Sequence, residues 1–265
     1  MSGVGPTIEA ATGEGRAALV GYLPAGFPTV DDSIALIGAM AQAGVDVIEV
    51  GLPYSDPVID GPTIQAAAEV ALAAGTRTTD VFRVVEASAA LVPTLLMTYW
   101  NPVERFGVER FSEDLAAAGG AGLITPDLIP DEAGEWVAAA DARQLDKVFL
   151  VAPSSTTARL ELTSAACRGF VYATAVMGVT GAREQTSTDA PVLVGRVHEV
   201  TGLPVGVGLG VSDGRQAAEV ASYAEAVIVG SAFVRCVLDA DNPSAALLAV
   251  SRLSEDLALG VRREL

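Results

Sequence analysis

Eight short apolar runs rich in β-branched residues recur along the chain, at residues 18–22, 47–50, 94–98, 122–124, 147–151, 169–173, 204–207 and 226–229. They lack the regular alternation of apolar and polar positions that marks a half-exposed strand. Each is therefore expected to be buried on both faces, like a parallel strand covered by helices. Between them lie alanine-rich segments whose apolar positions recur at helical spacing, among them residues 31–43, 63–74, 108–118, 131–140, 191–200 and 213–222. Strand then helix, repeated eight times, predicts an α/β chain closed into a (β/α)8 TIM barrel.

The structural rival is a doubly wound open sheet. Its usual mark is a G-x-G-x-x-G turn opening the first helix, whereas the first turn here reads Leu23-Pro24-Ala25-Gly26-Phe27-Pro28. No linker or shift of composition divides the sequence, so residues 1–265 are expected to form a single barrel domain. With 51% hydrophobic and 18% charged residues, the chain is neither disordered nor a coiled coil.

Charge narrows the choice of partners. Sixteen Lys and Arg against 33 Asp and Glu leave a formal charge of −17, which argues against nucleic acid or an anionic membrane surface. An anionic ligand must then be held by local groups. Two cysteines, Cys167 and Cys236, are too few for a disulfide scaffold and point to a reducing compartment. Residues 1–14 show no basic-then-apolar signal pattern, and no uncharged apolar run reaches the roughly 18 residues of a membrane span. A cytoplasmic location is the expectation.

His198 is the sole histidine, so sites with several histidine ligands are excluded. It falls in a helix-like run away from the glycine-rich loops and reads as a solvated helix residue. Any catalysis must then draw on carboxylates, hydroxyls or phenols.

In a barrel of this kind, function sits where strands end and loops begin. The seventh run leads into Gly206-Val207-Gly208-Leu209-Gly210-Val211-Ser212, and the eighth into Gly230-Ser231-Ala232. Glycines there let backbone approach a ligand, and free N–H groups at a helix start offer partial positive charge. Together they predict a phosphate-binding barrel, although glycines that only permit tight turns would look the same. A third glycine-rich stretch, Met177-Gly178-Val179-Thr180-Gly181, continues through a segment poor in apolar residues, as a lid would.

Within the second run, Val47-Ile48-Glu49-Val50-Gly51, one carboxylate lies among apolar neighbours. Desolvation there raises a glutamate pKa toward the range useful for general acid–base chemistry; the alternative is a structural ion pair with a buried Arg or Lys. The following loop carries Asp56 and Asp60 among turn formers. Asp60 precedes Gly61-Pro62 and a helical segment, a position that also suits a helix cap.

The ordered motifs Ile48-Glu49-Val50-Gly51-Leu52-Pro53-Tyr54-Ser55-Asp56-Pro57, Asp60-Gly61-Pro62-Thr63-Ile64-Gln65, Gly178-Val179-Thr180-Gly181, Gly206-Val207-Gly208-Leu209-Gly210 and Gly230-Ser231 resemble the tryptophan synthase α subunit family. The resemblance implies a lyase that cleaves indole-3-glycerol phosphate to indole and glyceraldehyde 3-phosphate, with no metal or organic cofactor on this subunit. It assigns proton transfer to Glu49 and the indole N–H to Asp60, so that Asp60 is more than a cap. Tyr172 matches a tyrosine near the catalytic glutamate, and Tyr22 an aromatic at the end of the first strand.

Ile64, Leu96 and Leu209 are expected to line the flat apolar slot for indole, and Thr180 to belong to the lid. Gly181, Gly210, Gly230 and Ser231 are expected to hold the phosphate. The resemblance further implies a pyridoxal-phosphate β subunit as partner in an αββα complex, contacted by residues 53–60, Asn101, Pro102 and residues 126–131. The sequence departs from the family at Gly26-Phe27-Pro28, where Gly-Asp-Pro is common. It departs again at Pro126-Asp127-Leu128-Ile129-Pro130, where Asp-x-Pro is usual, and in residues 174–177, which lack an arginine found in some relatives.

Overall fold

A computed structural model of the protein describes residues 3–174, 189–208 and 210–262. Among the described residues there are nine strands: β1 (Ala18–Pro24), β2 (Val47–Gly51), β3 (Thr94–Met97), β4 (Gly122–Ile124), β5 (Asp146–Val148), β6 (Leu150–Val151), β7 (Val171–Thr174), β8 (Val205–Gly208) and β9 (Ala226–Val229). All pair in parallel in the order β5-β4-β3-β2-β1-β9-β8-β7-β6. Only Phe149 separates β5 from β6, so the two ends of this order are one interrupted strand and the sheet closes. The expected run 147–151 is thus present as two pieces of one barrel stave, and the (β/α)8 architecture stands.

The helices are α1 (Val4–Gly13), α2 (Val30–Gln42), α3 (Pro62–Ala73), α4 (Thr78–Ala89), α5 (Trp100–Phe106), α6 (Val108–Ala117), α7 (Gly134–Ala142), α8 (Thr157–Ala166), α9 (Asp189–His198), α10 (Gly214–Ala221), α11 (Ser231–Leu238) and α12 (Pro243–Gly260). The segment expected at 131–140 starts later, because Pro130–Glu132 forms a separate 3-10 turn before α7. None of the described helices is long and apolar enough to cross a membrane.

Alternate residues of each strand enter two separate cores. Ile48, Val50, Leu96, Leu123, Phe149, Val171, Val205 and Val207 pack outward against the helices. Ala18, Val20, Val47, Leu95, Ile124, Val148, Phe170, Ala226 and Ile228 point inward. Burial on both faces explains why the strand segments read as continuous apolar runs.

The inner core also receives Val4, Ile8 and Ala11 of α1, all at most 1% exposed. This helix lies against the starts of the strands. Its first N–H, from Val4, donates to the Asp146 carboxylate at 3.2 Å, and Arg168 lies 3.7 Å from the other oxygen of that carboxylate. The N-terminal end of the barrel is thereby plugged.

Asp146→Ala removes the buried acceptor of the Val4 N–H and is expected to cost about 1–3 kcal/mol of stability. Urea unfolding measures the loss, and hydrogen exchange should show it concentrated in α1; unchanged α1 protection would contradict the anchoring role.

Candidate active site

At the opposite end, the inward face of the last strand positions carries chemistry instead of aliphatic packing. Tyr22 of β1 pairs in register with Glu49 of β2, and Glu49 with Leu95 of β3. Parallel partners share a face, so Tyr22 and Glu49 point the same way as the inner core residues Val20 and Val47 below them. Across the mouth, Tyr172 of β7 packs against that same inner core.

Two glycines make room for the phenols. A Cβ on Gly51 would stand 2.3 Å from the Tyr22 hydroxyl oxygen, and one on Gly208 would stand 2.5 Å from that of Tyr172. Neither position tolerates a side chain without displacing a ring. The glycines that end β2 and β8 thus have a steric purpose at the mouth.

Glu49 is 1% exposed, and its Oε1 has no hydrogen-bond partner among the described residues. The sequence left open a structural pairing with a buried cation; no ion pair to Glu49 occurs among the described residues. Burial alone raises its pKa to about 8. Burial also lifts both phenols well above the ordinary value, reinforced at Tyr22 by the charges of Asp60 and Glu49 and at Tyr172 by Glu49. These couplings bring Glu49, Asp60, Tyr22 and Tyr172 into one electrostatic neighbourhood.

Asp60 does not cap α3. That helix is capped at Gly61, with Pro62 in its first turn. The Asp60 main-chain carbonyl accepts from Gln65 Nε2 at 2.8 Å, while its carboxylate receives a hydrogen bond from the Tyr99 hydroxyl. Partial burial raises the Asp60 pKa, and the Tyr99 hydrogen bond opposes that rise. Tyr99, just beyond β3, was not singled out by the sequence. Its hydroxyl accepts from Ile59 N–H at 3.1 Å.

Leu96 requires a correction. It is fully buried, pairs in register with Val50 and Leu123, and packs in the outer core, on the face opposite Glu49. The residue of β3 that turns inward near the mouth is Met97, half-buried against the inner core. Ile64, 6% exposed in the first turn of α3, belongs to the outer core.

Gly210 has φ +71°, a left-handed conformation that favours glycine. Gly230 caps α11, and Ser231 is its first residue. A Cβ on Gly230 would lie 3.3 Å from the Tyr22 ring, so the start of α11 borders the same mouth. Thr180, Gly181 and Leu209 lie outside the described residues.

Asp127 accepts the Trp100 N–H at 2.9 and 3.1 Å and so holds the start of α5. His198, exposed at the end of α9, lies 3.0 Å from Glu225 and takes no part in the site. Among the described residues, no three His, Cys, Asp or Glu side chains converge as a metal site.

Comparison with known proteins agrees with this geometry. The family model for the tryptophan synthase alpha chain matches residues 8–260. The tryptophan synthase alpha chain of Salinispora arenicola is 64% identical over 263 residues, covering 99% of this chain and 98% of that one. That of Acidothermus cellulolyticus is 61% identical, with coverage of 99% and 98%. Among solved structures, Mycobacterium tuberculosis tryptophan synthase superposes with a TM-score of 0.92 at 54% identity, covering 98% of each chain. A mutant tryptophan synthase alpha-subunit from Pyrococcus furiosus gives 0.83 at 31% identity, covering 91% of this chain and 98% of that one.

The raised pKa of Glu49 has a measurable thermodynamic sign. Between the ordinary value of 4.5 and about 8, the unfolded chain has lost this proton while the folded chain keeps it. Folded-state stability therefore falls as pH rises through that window. Glu49→Gln carries no such group, so wild type is expected to lose stability relative to the variant between pH 4.5 and about 8 and no further above it. Urea unfolding of both proteins across this range checks the divergence; parallel curves would contradict it.

Proposed function

Because this chain belongs to the tryptophan synthase alpha chain family, we propose that Glu49 and Asp60 are the residues through which it acts. Its reaction is the cleavage of indole-3-glycerol phosphate to indole and glyceraldehyde 3-phosphate in tryptophan biosynthesis. The chain is accordingly a lyase of the tryptophan synthase complex and partners the β subunit.

The observation that carries the residue assignment is a buried, uncompensated Glu49 in the same field as Asp60. A carboxyl with a pKa near 8 holds its proton at neutral pH, as a general acid must. Glu49 delivers that proton to indole C3, giving the indoleninium cation, which keeps its N–H. The carbon–carbon bond to the side chain then breaks, and its electron pair returns to the ring. The C3′ hydroxyl becomes the aldehyde of glyceraldehyde 3-phosphate as its proton passes to Glu49, which ends the cycle protonated. No proton or electron is left over.

Asp60 has the complementary role. Its carboxylate faces the indole N–H and stabilises the positive charge that C3 protonation places on the ring. The Tyr99 hydrogen bond favours the anionic form that this task needs. Two carboxyl groups thus serve one reaction in opposite states because one is unpartnered and the other is hydrogen-bonded.

The α11 N-terminus, with Gly230 and Ser231, and the left-handed turn at Gly210 take the phosphate in this reading, aided by Thr180 and Gly181. Backbone N–H groups at a helix start suit an anion in a chain of charge −17. Tyr22, Tyr172 and Met97 replace Leu96 as walls of the indole slot, with Ile64 and Leu209 as its further expected contacts.

The β subunit seats on the barrel mouth through residues 53–60, 101–102 and 126–131, in an αββα assembly. Val58 and Ile129, 71% and 44% exposed, supply apolar contact there. Pyridoxal phosphate belongs to that partner, and this subunit uses protein acids alone. We read residues 1–265 as one cytoplasmic domain.

Indole release from indole-3-glycerol phosphate tests the assignment. Glu49→Gln and Asp60→Asn are each expected to lower turnover by about 10²–10⁴-fold while leaving the fold intact, and added β subunit should stimulate wild type. Near-normal turnover of either variant would remove that residue from the mechanism.

A further inference from the structure

The Asp60 carboxylate ends a loop stiffened by Pro53 and Pro57, yet stiffness alone does not aim a side chain. The geometry points to Tyr99 as the positioning residue that aims it, an inference that rests on the catalytic reading of Asp60 above. The Tyr99 hydroxyl accepts from Ile59 N–H at 3.1 Å, and it donates to the Asp60 carboxylate. A phenol has one proton to give. With the Ile59 amide on its acceptor side, that proton is directed at Asp60.

The ring that carries this hydroxyl is itself fixed. Tyr99 is 5% exposed and packs against Tyr54 with ring centroids 5.2 Å apart. The Tyr54 hydroxyl in turn accepts from Asn101 Nδ2 at 3.0 Å. The next residue in the chain, Trp100, has its N–H held by Asp127. On the loop side, Gln65 fixes the Asp60 carbonyl. The carboxylate therefore hangs between a clamped backbone and a clamped phenol. Loss of the hydroxyl removes both the acceptor of the Ile59 N–H and the donor to the carboxylate, so the Asp60 side chain is free to rotate while Gln65 still holds its carbonyl.

Misplacing a charged group by about 1 Å in an active site costs on the order of 10²-fold in rate. Tyr99→Phe keeps the ring pair with Tyr54 and deletes one oxygen. In the full chain assembled with the β subunit, this variant is expected to lower kcat for indole release by about 10–100-fold while KM changes less than about threefold. Asp60→Asn should lose more, and adding Tyr99→Phe to it should cost nothing further, since there is no longer an anion to aim. Placing 3-fluorotyrosine at position 99, which restores the hydroxyl, should return kcat to within about twofold of wild type.

Different failures overturn different statements. If Asp60→Asn collapses turnover while Tyr99→Phe stays within about twofold of wild type, the positioning role is wrong and the Asp60 assignment survives. Equal losses from Tyr99→Phe in the wild-type and Asp60→Asn backgrounds would also overturn it, because Tyr99 would then act independently of Asp60. If 3-fluorotyrosine fails to restore kcat, the hydroxyl is not the operative group. If Asp60→Asn keeps its turnover, the catalytic reading of Asp60 fails, and the positioning inference with it.

Discussion

The desolvation of one carboxyl group is the constraint on which the rest of this structure depends. Glu49 sits on the inward face of β2 with apolar residues below it and, among the described residues, no cation paired with it. An ion pair would have relieved the cost of burial, but it would also have pinned the group as a carboxylate. The barrel instead leaves the cost unrelieved and spreads it over a large apolar interior. Phenols, which are neutral at the same pH, line the mouth around Glu49 without supplying a counter-charge.

The second carboxyl group, in the loop that follows β2, lives under different rules. Asp60 is on a loop, partly exposed, and receives hydrogen bonds that Glu49 lacks. A strand fixes its side chains through its pleat and register. A loop has no such lattice, so contacts from elsewhere must do that work. Tyr99 and Gln65 provide them, from the end of β3 and the first turn of α3. The difference in local structure thus sets the two carboxyl groups apart electrostatically, and the two roles proposed for them rest on it.

Much of this was legible in the chain. The strands announced themselves because parallel strands are largely apolar, and Glu49 stood out as the one carboxylate within such a run. The same property hid the facing of Leu96. In Leu95-Leu96-Met97 both sides are buried, so composition carries no sign of inside and outside, and only register against Glu49 reveals it. The 3-10 turn at Pro130–Glu132 blurred the start of α7, since acidic turn residues resemble a helical first turn. Tyr99 could not be found from spacing, because it lies about 40 residues from Asp60 along the chain and meets it only when β2 and β3 pair.

The plug formed by α1 bears on traffic. Val4, Ile8 and Ala11 fill the bottom of the barrel, so that among the described residues the doorway to the interior lies at the ends of the strands. A phosphorylated substrate enters by it, and an uncharged, flat product must leave by it. Whatever protein covers that doorway receives the product before bulk water does. A helix on the far side from the chemistry thus closes the floor of the barrel and leaves traffic to the mouth.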